Sequence, residues 1–361
     1  MILSVNTNHR LRTAFLPFIL SFFSTLVLGQ QKEAADASVR QGVALHDAGK
    51  VDSAIAKYRQ ALALDKDNLR ALAEMAYSLW TIEKYDESIS FSKRAIKTHS
   101  HDPELKTVYV SYGNALDGLG KTDKSIDIYN EGIKMFPVYA QLYYNRGISQ
   151  NELHKTDEAL HSFQKSAELN PDHAASHNAI GNLLFNHNNI ASLLAFCRFL
   201  TLVSGTKQST DNLENTLKIM NAHVTKSLED RISVTVSPDM IDPNKKNQQN
   251  NFSSVELELA LSSALDNDST SIHKTAVEKF TRKFSALCGY LKETEKDNYG
   301  FYWDYYVPYF IEMNDKGFVT TFAYVAFTTT KTADVTDWLV SHKNEVDAFY
   351  KWSDGFKWRI N

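Results

Sequence analysis

Several side chains in this sequence have the types and spacing that chemistry needs. Ser90 to Lys93 and Ser271 to Lys274 each repeat the Ser-x-x-Lys spacing of a nucleophile with its lysine, but the Ser-Asp-Asn and Lys-Thr-Gly elements that accompany it are absent. Two such short matches are expected by chance. His173 and His177 stand four residues apart, so on a helix they share a face and could supply two imidazole ligands. Zinc needs three or four, and no Glu or Cys is spaced to complete the set. Asp266, Asp268 and Thr270 begin like a calcium loop, yet Ser271 holds the glycine place and Val277 the place of the bidentate glutamate. A helix N-cap explains them better. No Gly-x-Ser-x-Gly, phosphate-cradling loop or dinucleotide fingerprint occurs. The reading is therefore of a chain that is not an enzyme, with no catalytic residues, no metal and no cofactor.

Composition narrows the partners. The 361 residues are 43% hydrophobic and 23% charged, with a net charge of −4. That is ordinary globular material with no concentrated basic patch for nucleic acid or an acidic membrane surface. The start differs from the rest: His9, Arg10 and Arg12 precede an apolar run from Thr13 to Leu28, closed by Gly29 and polar Gln30 and Gln31. Basic end, short apolar run and small residue form the pattern of a signal peptide, with cleavage expected after Gly29 and export to the periplasm or cell surface. The alternative is an uncleaved anchor, the one expected membrane contact, although the run falls short of the roughly 20 residues that span a bilayer and Pro17 interrupts it. The two cysteines, Cys197 and Cys288, both fall in apolar helical patterns. Export permits a bridge, and buried thiols are the simpler reading.

Elements must position whatever function remains, and they repeat. Small residues recur at Gly42, Ala76, Gly113, Gly147 and Gly181, spaced by 34, 37, 34 and 34. Twelve residues after the first four come Ala54, Ser88, Ser125 and Ala159, and four further on stand Tyr58, Ser92, Tyr129 and Phe163. Lys50, Lys84, Lys121 and Lys155 are each followed two residues later by an aspartate, Asp52, Asp86, Asp123 and Asp157, placed to N-cap a second helix. Pro137 and Pro171 close the third and fourth copies.

This pattern resembles the tetratricopeptide repeat, in which a small residue on helix A lets helix B approach and an aromatic fills the space between hairpins. The resemblance implies an all-α fold: a right-handed superhelical solenoid of about five hairpins over 37–205, then a smaller helical C-terminal domain. The second copy departs from the pattern with Ser92 in the aromatic place. The fifth reads as degenerate, with Leu193, Cys197 and Leu200 at its small and aromatic positions. The family's groove positions, on helix A, map to Val39, Val43 and His46, then Ala73, Tyr77 and Trp80, then Asn114 and Asp117, then Tyr144 and Asn151, and last Asn178, Asn182 and Phe185. Such a lining suits an extended peptide, with amides pairing its backbone and Tyr77, Trp80 and Tyr144 covering apolar side chains. The Lys and Asn clamp with which some members grip a C-terminal carboxylate is missing, since Val39 and Val43 stand where it would begin. The implied function is a scaffold binding a protein or peptide.

Beyond the repeats, Leu213, Leu217, Met220, Val224 and Leu228 share a helical face in a capping helix expected over 206–230. Residues 231–251 read as a mobile linker, and Ile232 to Val236 within it as a short strand. The region 252–361 reads as an aromatic-rich helical domain. Its dense segment, Tyr299 to Phe310, supports two readings: a core for a small domain, or a platform for glycan or cell wall built on Tyr302, Trp303 and Tyr306.

Overall fold

The computed structural model of the chain describes residues 11–226, 232–242, 248–267 and 274–359, with backbone alone for 11–28, 226 and 267. Among the described residues it is all-α apart from one two-stranded ribbon. Two compact units emerge, 1–155 and 156–361, a division that does not coincide with the boundaries expected near 205, 230 and 251. Most of the expected leader, 1–29, lies outside the described side chains. No helix is long and apolar enough to cross a membrane among the described residues.

The first unit alternates A and B helices: α1 (Leu11–Asp47), α2 (Val51–Leu64), α3 (Leu69–Thr81), α4 (Tyr85–Thr98), α5 (Leu105–Gly118), α6 (Thr122–Met135) and α7 (Ala140–Glu152). Each A helix stops in the same way. Lys50 N–H donates to Leu45 O at 2.8 Å and Gly49 N–H to His46 O at 2.8 Å. The same pair of bonds recurs at Lys84 and Glu83, Lys121 and Gly120, Lys155 and His154. This is the Schellman stop, which needs a left-handed residue next to last. Gly49 and Gly120 adopt it freely, at φ +74° and +69°, whereas Glu83 and His154 are held there at +61° and +58°. The stop also corrects an expectation. Each lysine serves as the last residue of the stop and as the N-cap of the next helix, with no side-chain cap bond at Lys50, Lys84 or Lys121. The aspartates arrive two residues too late to cap. They sit in the first turn, where their charge meets the positive helix end.

Within hairpins the small residues act as expected. A Cβ on Gly42 would lie 2.3 Å from Cε1 of Tyr58, and one on Gly113 would lie 2.2 Å from Cε1 of Tyr129. Both rings are fully buried. In the second hairpin a serine replaces the ring, and hydroxyls bind backbone instead: Ser88 Oγ donates to Ala76 O at 2.7 Å and Ser92 Oγ to Ser88 O at 2.9 Å.

The second unit begins with α8 (Thr156–Leu169), α9 (Ala174–Leu184), α10 (Asn189–Leu202) and α11 (Lys207–Asn221). The fifth hairpin, α9 with α10, is not degenerate. Its turn is one residue shorter, so the N-cap is Asn188, whose side chain accepts from Ala191 N–H at 3.2 Å. Everything after it moves back by one. Ser192, not Leu193, donates to Gly181 O at 2.7 Å, and Phe196, not Cys197, covers Gly181. Helix α10 is buried on every side from Ile190 to Thr201, which is why it shows no polar stripe.

Helix α11 ends at Asn221, short of the expected length. Val224 instead opens β1 (Val224–Lys226), which pairs antiparallel with β2 (Ile232–Val234), Val224 opposite Val234. Leu228 lies outside the described residues. After α12 (Pro238–Ile241) come α13 (Ser253–Ala264), α14 (Ala276–Thr294), α15 (Phe301–Tyr305), α16 (Val307–Asp315), α17 (Val319–Phe327), α18 (Ala333–Ser341) and α19 (Lys343–Gly355). The described end of the expected linker is pinned: Asn250 Oδ1 accepts from Tyr302 N–H at 3.0 Å, and Trp303 Nε1–H donates to Asn251 O at 2.9 Å. Gly300, at φ +113°, is required there, since a Cβ would meet Asn250 Oδ1 at 2.5 Å.

Candidate functional site

The site begins with one stripe on each of three A helices. Helix α3 contributes Arg70, Ala73, Glu74, Tyr77 and Trp80. Helix α5 adds Thr107, Val110, Ser111, Asn114 and Asp117, and α7 adds Gln141, Asn145, Ile148 and Glu152. Steps of three and four residues keep each set on one helix face. Together with Glu104, Tyr129 and Tyr139 they line a cavity of about 1100 Å³, larger than most small-ligand pockets. Tyr77 is 42% exposed. Its ring lies 5.7 Å from that of Trp80 and 5.1 Å from that of His46, tilted against both.

Amides form an internal net. Gln141 Nε2–H donates to Asn145 Oδ1 at 2.7 Å, Asn145 Nδ2–H donates to Asn114 Oδ1 at 2.7 Å, and the Tyr129 hydroxyl donates to the same oxygen at 2.7 Å. Asn114 therefore offers a ligand its Nδ2 donors rather than its carbonyl. Asp117 accepts from Ser125 Oγ at 2.6 Å and Ser149 Oγ at 2.5 Å. Burial still holds its carboxyl above the usual range against the pull of those donors. Glu74 is raised by burial, partly offset by Arg70 and His46. Glu152 is raised by burial and by the charge of Asp117.

Of the residues mapped from the sequence, Ala73, Tyr77, Trp80, Asn114 and Asp117 line this cavity. His46 lies beside it against Tyr77. Val39 is fully buried in the core of the first hairpin and Val43 packs on the same core, so neither is a groove residue. Tyr144 and Asn151 fall outside the lining: Tyr144 is half-buried, its phenol pushed up by that burial, and Asn151 is exposed. Asn178, Asn182 and Phe185 belong to α9 and its cap in the second unit, where the Phe185 ring sits 6.4 Å from Phe196. Several of the residues missed were legible in the repeat spacing. Arg70, Thr107 and Gln141 share one column, as do Glu74, Ser111 and Asn145, and Tyr77, Asn114 and Ile148. Along α7 those columns continue, while those of Ala73 and Trp80 leave the lining.

The other candidate chemistries resolve into packing. His177 is fully buried, with Nε2 2.9 Å from Pro171 O and Nδ1 2.8 Å from the Tyr306 hydroxyl. Both nitrogens are occupied by protein, and no group of three or more His, Cys, Asp or Glu could hold a metal among the described residues. Asp266 does not cap a helix but pairs with Arg282 and Lys283, at 2.5 and 2.9 Å, while Thr275 caps α14 in a capping box with Glu278. Asp268 and Thr270 lie outside the described residues. Cys197 and Cys288 are free, buried thiols. Tyr302, Trp303 and Tyr306 are each at most 4% exposed, so these rings form core and offer glycan no platform.

Comparison with known proteins bears on the repeats. Family models described as tetratricopeptide repeat match residues 107–139 and 140–173, and one described as TPR repeat matches 42–82. A barley protein named as a probable UDP-N-acetylglucosamine–peptide N-acetylglucosaminyltransferase, SPINDLY, is 27% identical over 158 residues, 41% of this chain. The match spans only 16% of that protein's length. Among solved structures, a thermophilic TPR protein of Thermus thermophilus is 18% identical with a TM-score of 0.45, covering 51% of this chain and all of that one. The pilF protein of Pseudomonas aeruginosa is 19% identical with a TM-score of 0.43, covering 52% of this chain and 90% of that one. The family matches fall on hairpins that share one helix stop and one way of seating helix B on a small residue, and residues 42–82 and 107–173 match the tetratricopeptide repeat.

Proposed function

We propose that this repeat scaffold holds an extended polypeptide segment in the cavity lined by α3, α5 and α7, and does no chemistry on it. One observation carries the reading: three successive A helices turn the same face to a single cavity in which Tyr77 is open to a ligand. Amide donors such as Asn114 Nδ2 pair with a peptide backbone, and the Tyr77 and Trp80 rings cover its apolar side chains. The barley relative's transferase activity is not part of this reading. Export after removal of residues 1–29 is, supported by the basic, apolar and small-residue order at the N-terminus.

Panning a random peptide library against the chain from Gln30 onward tests it, beside a Tyr77→Ala, Trp80→Ala variant whose circular dichroism matches the parent. The expected outcome is an enriched peptide set that the variant binds at least tenfold more weakly, as loss of buried aromatic anchors brings. No enrichment, or equal binding by the variant, sinks the reading.

A further inference from the structure

The charge inside the cavity is one-sided. Four carboxylates line it, Glu74, Glu104, Asp117 and Glu152, against one cation, Arg70. None of the five is in an ion pair within 4 Å among the described residues, although salt bridges occur elsewhere on the same unit, as between Arg94 and Asp67. The exposed Tyr77 ring and the half-buried Trp80 ring face the same space. Tyr139 differs, because the Lys106 ammonium already sits 5.7 Å from its ring centre. That contact shows how a cation meets an aromatic face at this wall.

We propose that the occupant of this groove is a polypeptide segment carrying lysine or arginine, its cation set among Glu74, Asp117 and Glu152 and over the Tyr77 and Trp80 rings. This rests on the reading that the groove holds a polypeptide, and adds the chemistry of its side chains. The protein supplies too little positive charge to balance the groove, and a ligand cation restores the balance. Burial raises the proton affinity of Glu74, Asp117 and Glu152, so each gains from a cation brought beside it. A segment bearing Asp or Glu would meet like charges there and be disfavoured. Basic segments would arrive faster by electrostatic steering, an advantage that salt removes.

Three chains panned against one fully randomised peptide library decide this: the wild type, a Glu74→Gln, Glu152→Gln variant, and Glu87→Gln as a control on the exposed face of α4. The expected result is that wild type and control enrich Lys and Arg over Asp and Glu. Individual peptides should lose at least tenfold in affinity when their basic residue becomes Gln, and the double variant should lose the basic preference. If peptides bind, depend on Tyr77 and Trp80, and show no basic preference, this inference is overturned while the groove reading stands. Enrichment of acidic peptides overturns it too. If no peptide binds at all, the groove reading itself fails and this inference with it.

Discussion

At the scale of single residues, His177 shows how burial decides a protonation state. A carbonyl can only accept, so Nε2 must carry the proton donated to Pro171 O, and Nδ1 then accepts from the Tyr306 hydroxyl. The ring is neutral, with its pKa pushed down to about 3 by burial and by the nearby Arg198 charge. In the unfolded chain it titrates near 6.5, so between that pH and about 3 only the unfolded state takes the proton. This residue's contribution to the stability of the second unit is fully present above pH 6.5 and is lost as pH falls toward about 3, by roughly 1 kcal/mol per pH unit. Urea titrations from pH 7 to pH 4 should show that slope, and a His177→Gln variant should flatten it. An equal slope in the variant would assign the effect to other groups. Arg198 beside it is a buried charge held by many weak partners: Pro171 O, Thr201, Ser353, and the rings of Tyr309 and Trp358 at 5.1 and 4.8 Å. Asp172 completes the set at 2.7 Å.

At the scale of the element, the hairpin is defined by how closely helix B can lie on helix A. Gly113 has no Cβ because the Tyr129 ring occupies its place. Gly113→Ala drives a methyl into a fully buried ring whose hydroxyl is tied to Asn114, so the ring must move and the cavity's amide net with it. Such overpacking costs about 1–3 kcal/mol. The expected result is a lower denaturation midpoint, with affinity for groove peptides falling as well. A Gly118→Ala change offers no neutral comparison, since a Cβ there would lie 2.5 Å from the Tyr85 ring. Gly289→Ala does, because nothing lies within 4 Å of its Cβ place, and it should leave the midpoint unchanged or slightly raised. Equal effects at Gly113 and Gly289 would refute the close-approach account.

At the scale of the molecule, the repeat does not end where the C-terminal helices begin. Residues 156–361 form one compact unit in which the fifth hairpin supplies the buried helix α10, packed between α9 and α11 and against α17 and α13. Tyr305 donates to Ala167 O at 2.7 Å and Tyr306 bonds His177, so rings far along the chain complete the polar bonding of α8 and α9. The last described residues close the unit, with Trp352 and Trp358 stacked on Tyr309 at 5.0 Å and Ser353 bonded to Arg198 at 3.1 Å. A chain stopped after His342 exposes Tyr309 and takes from Arg198 the Ser353 hydroxyl and the Trp358 ring, leaving a buried charge with fewer partners. Proteolysis of that chain is expected to cut within 156–342 while 30–155 resists. Resistance of both segments would show that the C-terminal residues do not hold the unit together.

The sequence by itself determined the repeat, because its signals are local: a small residue, a ring or serine sixteen later, and a lysine two before an aspartate all lie within one hairpin. It also determined that no catalytic or metal constellation is spelled out in linear spacing. Tertiary structure alone decided the rest. A single missing residue in the α9–α10 turn shifted Ser192 and Phe196 into the places assigned to Leu193 and Cys197, which no periodic count anchored at Gly181 could show. The residues of α7 that face the cavity depend on how that helix is rotated on its neighbours, so Glu152 lines it while Tyr144 and Asn151 do not. The aromatic segment could be core or surface by composition, and burial settled it, since rings cover large areas wherever a neighbour is brought to them. Which charges stand unbalanced in one cavity is likewise a fact of three helices brought side by side.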